Sequence, residues 1–421
     1  MTTESNKLFE LLDGLPLALA QASAFMRETM TSFTDYLGFY NKQWRELMKA
    51  HDTSGNPLQE YHNGSIWTTW MISFRAIQQI DGASAKLLQL WACLDCKELW
   101  YELLVPAQQR MALSGGDAPE WFQSVAGSKL TFVQKIKLLL SYSLIEGTED
   151  LSSYAVHPVV HEWAWQTQDE NTQRQSCWLA AVVVGSAVPE SAEKQYWVMQ
   201  RRLLAHADQY AERSCGQAWS KMGEGPGLDI VGLDAIHMLG LLYVDQGKLE
   251  EAEKMYMRAL AGKEKALGPE HTLTLSTVNN LGNLYADQGK LEEAEKMYMR
   301  ALAGYEKALG SQHSSYIPAL NTIYNLGRLY MSKNNVGGAK VMYTRALAGY
   351  EIVFGHHHQR CRELREELSD LATTTVPSNA SVRLETDSSP IYPQIRGISS
   401  SNQERKIPSK RHKLLKKFGW K

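Results

Sequence analysis

The segment GLLYVDQGKLEEAEKMYMRALAGKEKALG at 240–268 returns at 282–310 with three changes, Leu241/Asn283, Val244/Ala286 and Lys263/Tyr305. A diverged third copy, GRLYMSKNNVGGAKVMYTRALAGYEIVFG, occupies 327–355. Near-verbatim recurrence restricts the fold sharply. Each unit must present the same faces to its neighbours, so the units stack along one direction. Such a stack offers an extended surface and seldom a reaction centre, which turns the functional reading towards binding.

Each copy predicts two helices. The first ends at Asp-Gln-Gly, where Gly247 and Gly289 stand at the position that favours a left-handed cap. The second begins at Leu-Glu-Glu-Ala and ends at Gly268 or Gly310, with Pro269 as a stop. Small and large residues recur at packing positions: Gly240, Ala252, Tyr256 and Ala259, then Gly282, Ala294, Tyr298 and Ala301, then Gly327, Ala339, Tyr343 and Ala346. Gly and Ala let paired helices approach, and Tyr fills the gap beside them. These residues and their spacing resemble the tetratricopeptide repeat, whose period is about 34 residues. The spacing here is 42 from Gly240 to Gly282 and 45 from Gly282 to Gly327, and is similar to the kinesin-light-chain variety with extended helices. Cys361, Leu364, Leu368 and Leu371 predict a capping helix, and 196–211 predicts a helix leading into the stack. The glycine-rich stretch at 222–228 follows no strand and precedes no Lys-Ser/Thr, so it reads as a loop and not a phosphate cradle.

In the repeat family that this array resembles, first helices line a concave face. His237, Asn279, Asn280, Asn283, Tyr324, Asn325 and Arg328 fall there. Asn280 and Asn325 are equivalent, two residues before the glycine. Carboxamides can hydrogen-bond an extended peptide backbone whatever its sequence, so the expected ligand is a protein or peptide in this groove. The alternative is that these side chains are solvated or bond locally. The Glu/Lys-rich second helices read as solvated outer faces.

The first 190 residues hold no repeat. Helical periodicity runs over 8–26, broken at Asp13-Gly-Leu-Pro16, and over 33–47, 61–80, 83–95 and 131–142. Short strands are expected at 144–146 and 154–156, so helices followed by a hairpin outline a winged helix. Gly14-Leu15-Pro16-Leu17-Ala18 resembles the GLPLA motif of NB-ARC nucleotide-switch ATPases. The stretch from Val156-His157-Pro158 to Ala164 is similar to the region around their MHD motif, in the right order, and in fungal members tetratricopeptide arrays follow. The resemblance implies that Pro16 packs on an adenine and that His157 approaches the β-phosphate of ADP. Pro158 stands where the family has Asp, which weakens the conformational lock. Read from the residues alone, Pro16 is a helix-breaking turn and His157 a cap ahead of Pro158. No GxxxxGK[S/T] occurs and no strand ends in an acidic cluster, so the chain is expected to begin after the family's catalytic core, to hydrolyse nothing and to need no cofactor; ADP or ATP is implied by resemblance only.

Five cysteines scattered through a long chain point to reduced thiols in the cytoplasm. Cys93 and Cys96 have CxxC spacing within an apolar helical pattern and read as buried structural thiols. His157 and His161 share a helix face without a third ligand, so no metal site is expected. No apolar run reaches membrane-spanning length. The last 49 residues carry ten Lys/Arg against three Asp/Glu, whereas the whole chain has a net charge of -2, so the body has no basic field for nucleic acid. The tail end, RKIPSKRHKLLKKFGWK, reads as a nuclear-import address, a contact for an acidic surface, or a solubilising end.

The expectation is an all-α chain: a helical subdomain at 1–60, a winged-helix-like domain at 61–170, connecting helices at 171–232, an α-solenoid of tetratricopeptide helix pairs with its cap at 233–372, and a disordered basic tail at 373–421. The function implied is protein–protein recognition by the sensor or scaffold part of an NLR-like signalling protein. A nucleotide switch lacking its catalytic loop and a cargo adaptor like kinesin light chain are the alternatives.

Overall fold

Eleven helices and one small hairpin precede the repeats in the described part of the chain. The structure is a computed structural model and describes residues 3–12, 14–51, 64–114, 118–149, 152–189, 196–214 and 230–373. The stretch at 222–228, Cys215 and the tail beyond 373 lie outside the described residues. Helix α1 (Thr3–Leu11) meets α2 (Pro16–Thr29) across a turn in which Gly14 has φ 62°. Pro16 opens α2 at the first helical position, where its missing N–H goes unneeded. Helices α2 and α3 (Phe33–His51) pack on α4 (Gly64–Ile80), with Phe25 of α2 against Tyr36 and Phe39.

Helix α5 (Gly82–Trp91) is capped by Asp81, whose carboxylate accepts from Ser84 N at 3.0 Å and pairs with Lys135 Nζ at 2.9 Å. Helices α6 (Tyr101–Leu113), α7 (Glu120–Ala126) and α8 (Lys129–Ser141) follow, then the antiparallel hairpin β1 (Glu146–Gly147) and β2 (Tyr154–Ala155). Leu99, just before α6, bridges Tyr154. A strand residue before the helices thus pairs with the hairpin after them, which is a winged-helix arrangement. Periodicity pointed to α5 and α8 but not to α6 and α7. Pro106 inside α6 removes a backbone donor and obscures the pattern, and α7 is only seven residues long.

Helices α9 (Pro158–Gln166), α10 (Glu170–Ser186) and α11 (Tyr196–Ser214) lead to the repeats. The second half of α10 is buried on every side, as its all-round apolar sequence requires, because α5, α6, α11 and α12 (Ile230–Asp245) pack around it. At Gly185 a Cβ would lie 2.3 Å from the carbonyl oxygen of Ala235 in α12, so the two backbones cross too closely for any larger residue.

The array continues with α13 (Leu249–Leu267), α14 (Thr272–Asp287), α15 (Leu291–Leu309), α16 (Ile317–Ser332), α17 (Val336–Phe354) and the capping helix α18 (Gln359–Thr373). The chain is all-α, with tandem helix pairs where the repeats predicted them. Gly247 and Gly289 cap the first helices at φ 73° and 74°, and Asn334 takes the same left-handed position in the third copy. The three residues that lengthen the second spacing are taken up by a 3₁₀ turn at Gly310–Ser315. Within each pair, a Cβ on Gly240, Gly282 or Gly327 would lie 2.6 Å from the ring of Tyr256, Tyr298 or Tyr343. A second small–large contact, Gly262, Gly304 and Gly349 against Leu233, Leu275 and Leu320, recurs with the same register. Between units, Lys290 pairs with Glu253 and Lys333 with Glu295, and Lys248 pairs with Asp208 of α11 in the same way. One hydrophobic core runs unbroken from Leu8 through the winged-helix-like domain into the first two repeats, and a second spans Ala294 to Leu371.

Candidate functional site

The first helices α12, α14 and α16 carry all seven face residues named from sequence, and a hydrogen-bonded ladder joins five of them. His237 sits at its start. Its Nε2 accepts from Asn280 Nδ2 at 3.0 Å, and its Nδ1 lies 3.0 Å from Thr277 Oγ1. Thr277 in turn donates to Leu273 O, so these partners assign the proton of a neutral imidazole to Nδ1. Burial, with the Lys263 and Arg110 charges nearby, holds the His237 pKa well below its ordinary value.

Asn279 Nδ2 reaches Asn280 Oδ1 at 3.3 Å, and Asn279 Oδ1 accepts from Thr322 Oγ1 at 3.0 Å. One turn on, Asn283 Oδ1 accepts from Tyr298 Oη at 2.7 Å and from Asn325 Nδ2 at 2.9 Å. Apart from the Asn279–Asn280 bond within α14, each of these bonds links neighbouring repeats or the two helices of one repeat. The carboxamides therefore bond locally first, and a ligand would meet their remaining capacity. Asn325 spends its amino group on Asn283 and Asn279, leaving its Oδ1 without a partner among the described residues. Arg328 is exposed, one turn from Tyr324.

Tyr324 does not join the ladder. Its hydroxyl donates to Glu367 of α18 at 3.2 Å, and its ring lies 5.5 Å from Tyr343. Burial and the Glu367 charge push its phenol up to about 12. Burial also raises the Glu367 carboxyl, against the pull of Tyr324 and Arg328.

Sequence reasoning missed four members of this network: Thr277, Thr322, Asp234 and Lys263. Lys263 is buried, with Nζ 2.7 Å from Asp234 and 3.3 Å from Thr277 Oγ1. The available signal was the Lys263/Tyr305 mismatch between otherwise matching second helices, since a charge that replaces a buried Tyr needs a partner.

The motif residues of the N-terminal half stand apart. Pro16 begins α2, and His157 caps α9, its Nδ1 accepting from Val159 N at 3.3 Å. No hydrogen bond or ion pair joins the two among the described residues. His161 does not share a ligand position with His157: its Nε2 is buried against the carbonyls of Trp91 and Leu94 at 3.0 and 2.9 Å, and burial lowers its pKa. No His/Cys/Asp/Glu group among the described residues is arranged to hold a metal ion. Cys93 is buried as expected, but its neighbour is Cys177, with Sγ atoms 3.6 Å apart, and not Cys96, which is only partly buried. No helix among the described residues is long and apolar enough to cross a membrane.

Comparison with known proteins agrees with the repeat architecture. Residues 233–307 and 319–360 match the tetratricopeptide repeat family. Over 284 residues the chain is 27% identical to a nucleotide-binding leucine-rich repeat (NLR)-like protein of Hyaloscypha variabilis, covering 65% of this chain and 26% of that protein. The chain thus spans about a quarter of the length of the curated relative it matches. Among solved structures it is similar to kinesin light chain TPR-like repeats of Podosopora anserina (19% identity, 49% of this chain and 89% of that one, TM-score 0.36). It is also similar to a signal transduction ATPase with numerous domains and a tetratricopeptide repeat sensor from Pyrococcus horikoshii (13% identity, 86% of this chain and 66% of that one, TM-score 0.23).

Proposed function

We propose that this chain, similar to an NLR-like protein and carrying tetratricopeptide repeats, is a protein-interaction module serving as the sensor or scaffold part of a signalling protein. Its ligand is an extended peptide or protein segment lying on the face of α12, α14 and α16. The observation that supports this reading is the carboxamide ladder. It fixes Asn280, Asn283 and Asn325 in single orientations, so that their remaining donors and acceptors are pre-arranged for a backbone and these side chains lose little entropy on binding. Arg328, exposed beside them, adds a positive charge. The chain acts by recognition, without a chemical step. His157 is spent on a helix cap, which favours recognition over nucleotide switching.

A random extended-peptide library panned on the full chain tests this. Selected peptides should bind wild type with tolerance for sequence, and Asn280→Ala with Asn325→Ala should weaken binding about tenfold, one net hydrogen bond or so. Thermal melts run beside each variant separate lost binding from lost fold. Peptide binding unchanged in a folded double variant sinks the proposal. So does saturable ADP or ATP binding that His157→Ala abolishes, because that result restores the switch.

A further inference from the structure

The two near-identical units pose a problem that the ladder does not solve. Helices α13 and α15 differ at one position in nineteen, Lys263 against Tyr305, so the second helices distinguish the first unit from the second only there. That one difference is buried, and the residue it faces also differs. Lys263 Nζ meets Asp234 Oδ1 at 2.7 Å in the first repeat. Tyr305 lies where Ser276 replaces the Asp, and its hydroxyl has no hydrogen-bond partner among the described residues. In the third repeat the pair becomes Tyr350 Oη donating to Asn321 Oδ1 at 2.7 Å.

The same corner of the first repeat is where the preceding domain arrives. Asp234 Oδ2 lies 3.9 Å from an Nη of Arg110, which comes from α6 of the winged-helix-like domain. One carboxylate therefore faces two cations, one from its own repeat and one from the neighbouring domain. The next residue, Ala235, takes the backbone crossing with Gly185 of α10. The equivalent positions in the second repeat hold Ser276 and Thr277: no charge for Arg110, and a β-branched side chain on the crossing face.

We propose that Asp234 and Ala235, matched by Lys263, form a docking key that seats the first repeat, and neither of its near-copies, against α6 of the winged-helix-like domain and the connecting helix α10. The partner this surface fits is a pair of helices of the same chain, α6 supplying Arg110 and α10 the backbone crossing at Gly185. With Asp234 replaced by Ser, Lys263 is a buried charge without a counter-ion, and Arg110 loses its carboxylate. With both repeat residues changed to the second unit's pair, the repeat holds no unpaired buried charge, and the domain contact is lost.

Three variants of the full chain, Asp234→Ser, Asp234→Ser/Lys263→Tyr and Arg110→Gln, test the key by thermal melting and hydrogen exchange. Asp234→Ser should lower Tm by about 5 °C or more, and the double variant should recover at least half of that, since removing one partner of a buried pair is worse than replacing both. In the double variant and in Arg110→Gln, amides of α6 and the start of α12 should exchange at least about threefold faster, while α14–α17 stay unchanged. Where Asp234→Ser fails to fold, a folded double variant counts as the recovery, and a double variant that also fails to fold overturns the matching of the pair. Additive losses in the double variant overturn the matching as well. Unchanged α6 exchange in Arg110→Gln overturns the role of this corner as a seat for the domain.

Discussion

Asn325 of α16 donates through Nδ2 to Oδ1 of Asn283 in α14 at 2.9 Å, and so ties the first helices of adjacent repeats through their side chains. The same oxygen accepts from Tyr298. Leu241 stands at the equivalent position of the first repeat, where no such junction is made. Replacing Asn283 by Leu should therefore leave one hydroxyl and one amide short of an acceptor, at a cost of about 1–3 kcal/mol. Urea unfolding followed by circular dichroism measures it, and a midpoint equal to wild type shows that the junction contributes nothing.

Helix propensity and packing make opposite demands at Gly282. Alanine is the better helix former by about 1 kcal/mol, but its Cβ would lie 2.6 Å from the Tyr298 ring. The contact should win, and Gly282→Ala should destabilise by about 1–2 kcal/mol. Gly38, in α3 with open space around it, is the control: Gly38→Ala should raise the melting temperature. Stabilisation at both sites contradicts the packing argument.

His157 caps α9 through Val159 N. His157→Ala should cost about 1 kcal/mol, and His157→Asn, which retains a capping acceptor, should recover most of it. Thermal melts of the two variants decide. Equal losses in both show that the cap is not what His157 supplies.

Acid should weaken this fold between pH 7.5 and 5. Burial lowers the pKa values of His161 and His237, and pushes His206 down to about 3, where its Nδ1 accepts from Asp95 N at 3.0 Å. The sign follows from linkage. The unfolded histidines bind protons near pH 6.5 while the folded ones do not, so their contribution is intact above that pH and is lost as the pH falls. For His206 alone the loss at pH 5 is about 2 kcal/mol. Melting temperatures across this range should drop, and His206→Asn should flatten the slope. A flat wild-type profile means that these imidazoles are not held neutral.

The recognition of the helix pairs came from the sequence because repeat packing is local and repeated: Gly240, Gly282 and Gly327 meet a Tyr sixteen residues later each time. Caps were legible for the same reason, since Gly247 and Gly289 need a left-handed backbone and sit where the periodicity stops. The winged-helix outline was legible in α5, α8 and the hairpin and incomplete at α6 and α7, where Pro106 and short length blur the period. The face residues were found, but not their engagement. A carboxamide's partner lies some forty residues away in sequence, and the side chain carries no mark of whether it bonds water, a peptide or the next repeat.

What the sequence determined by itself is the stack: a period, two helices per period, and the small–large contacts that hold each pair, all fixed by interactions within about thirty residues. What only the tertiary structure decided is which polar groups are already spoken for. Lys263 reads as one more surface lysine on a Glu/Lys-rich helix until Asp234, Thr277 and Arg110 are seen around it. A buried charge is tolerable only beside its counter-charge, and here that charge comes from another helix, at a distance set by how the helices fold together.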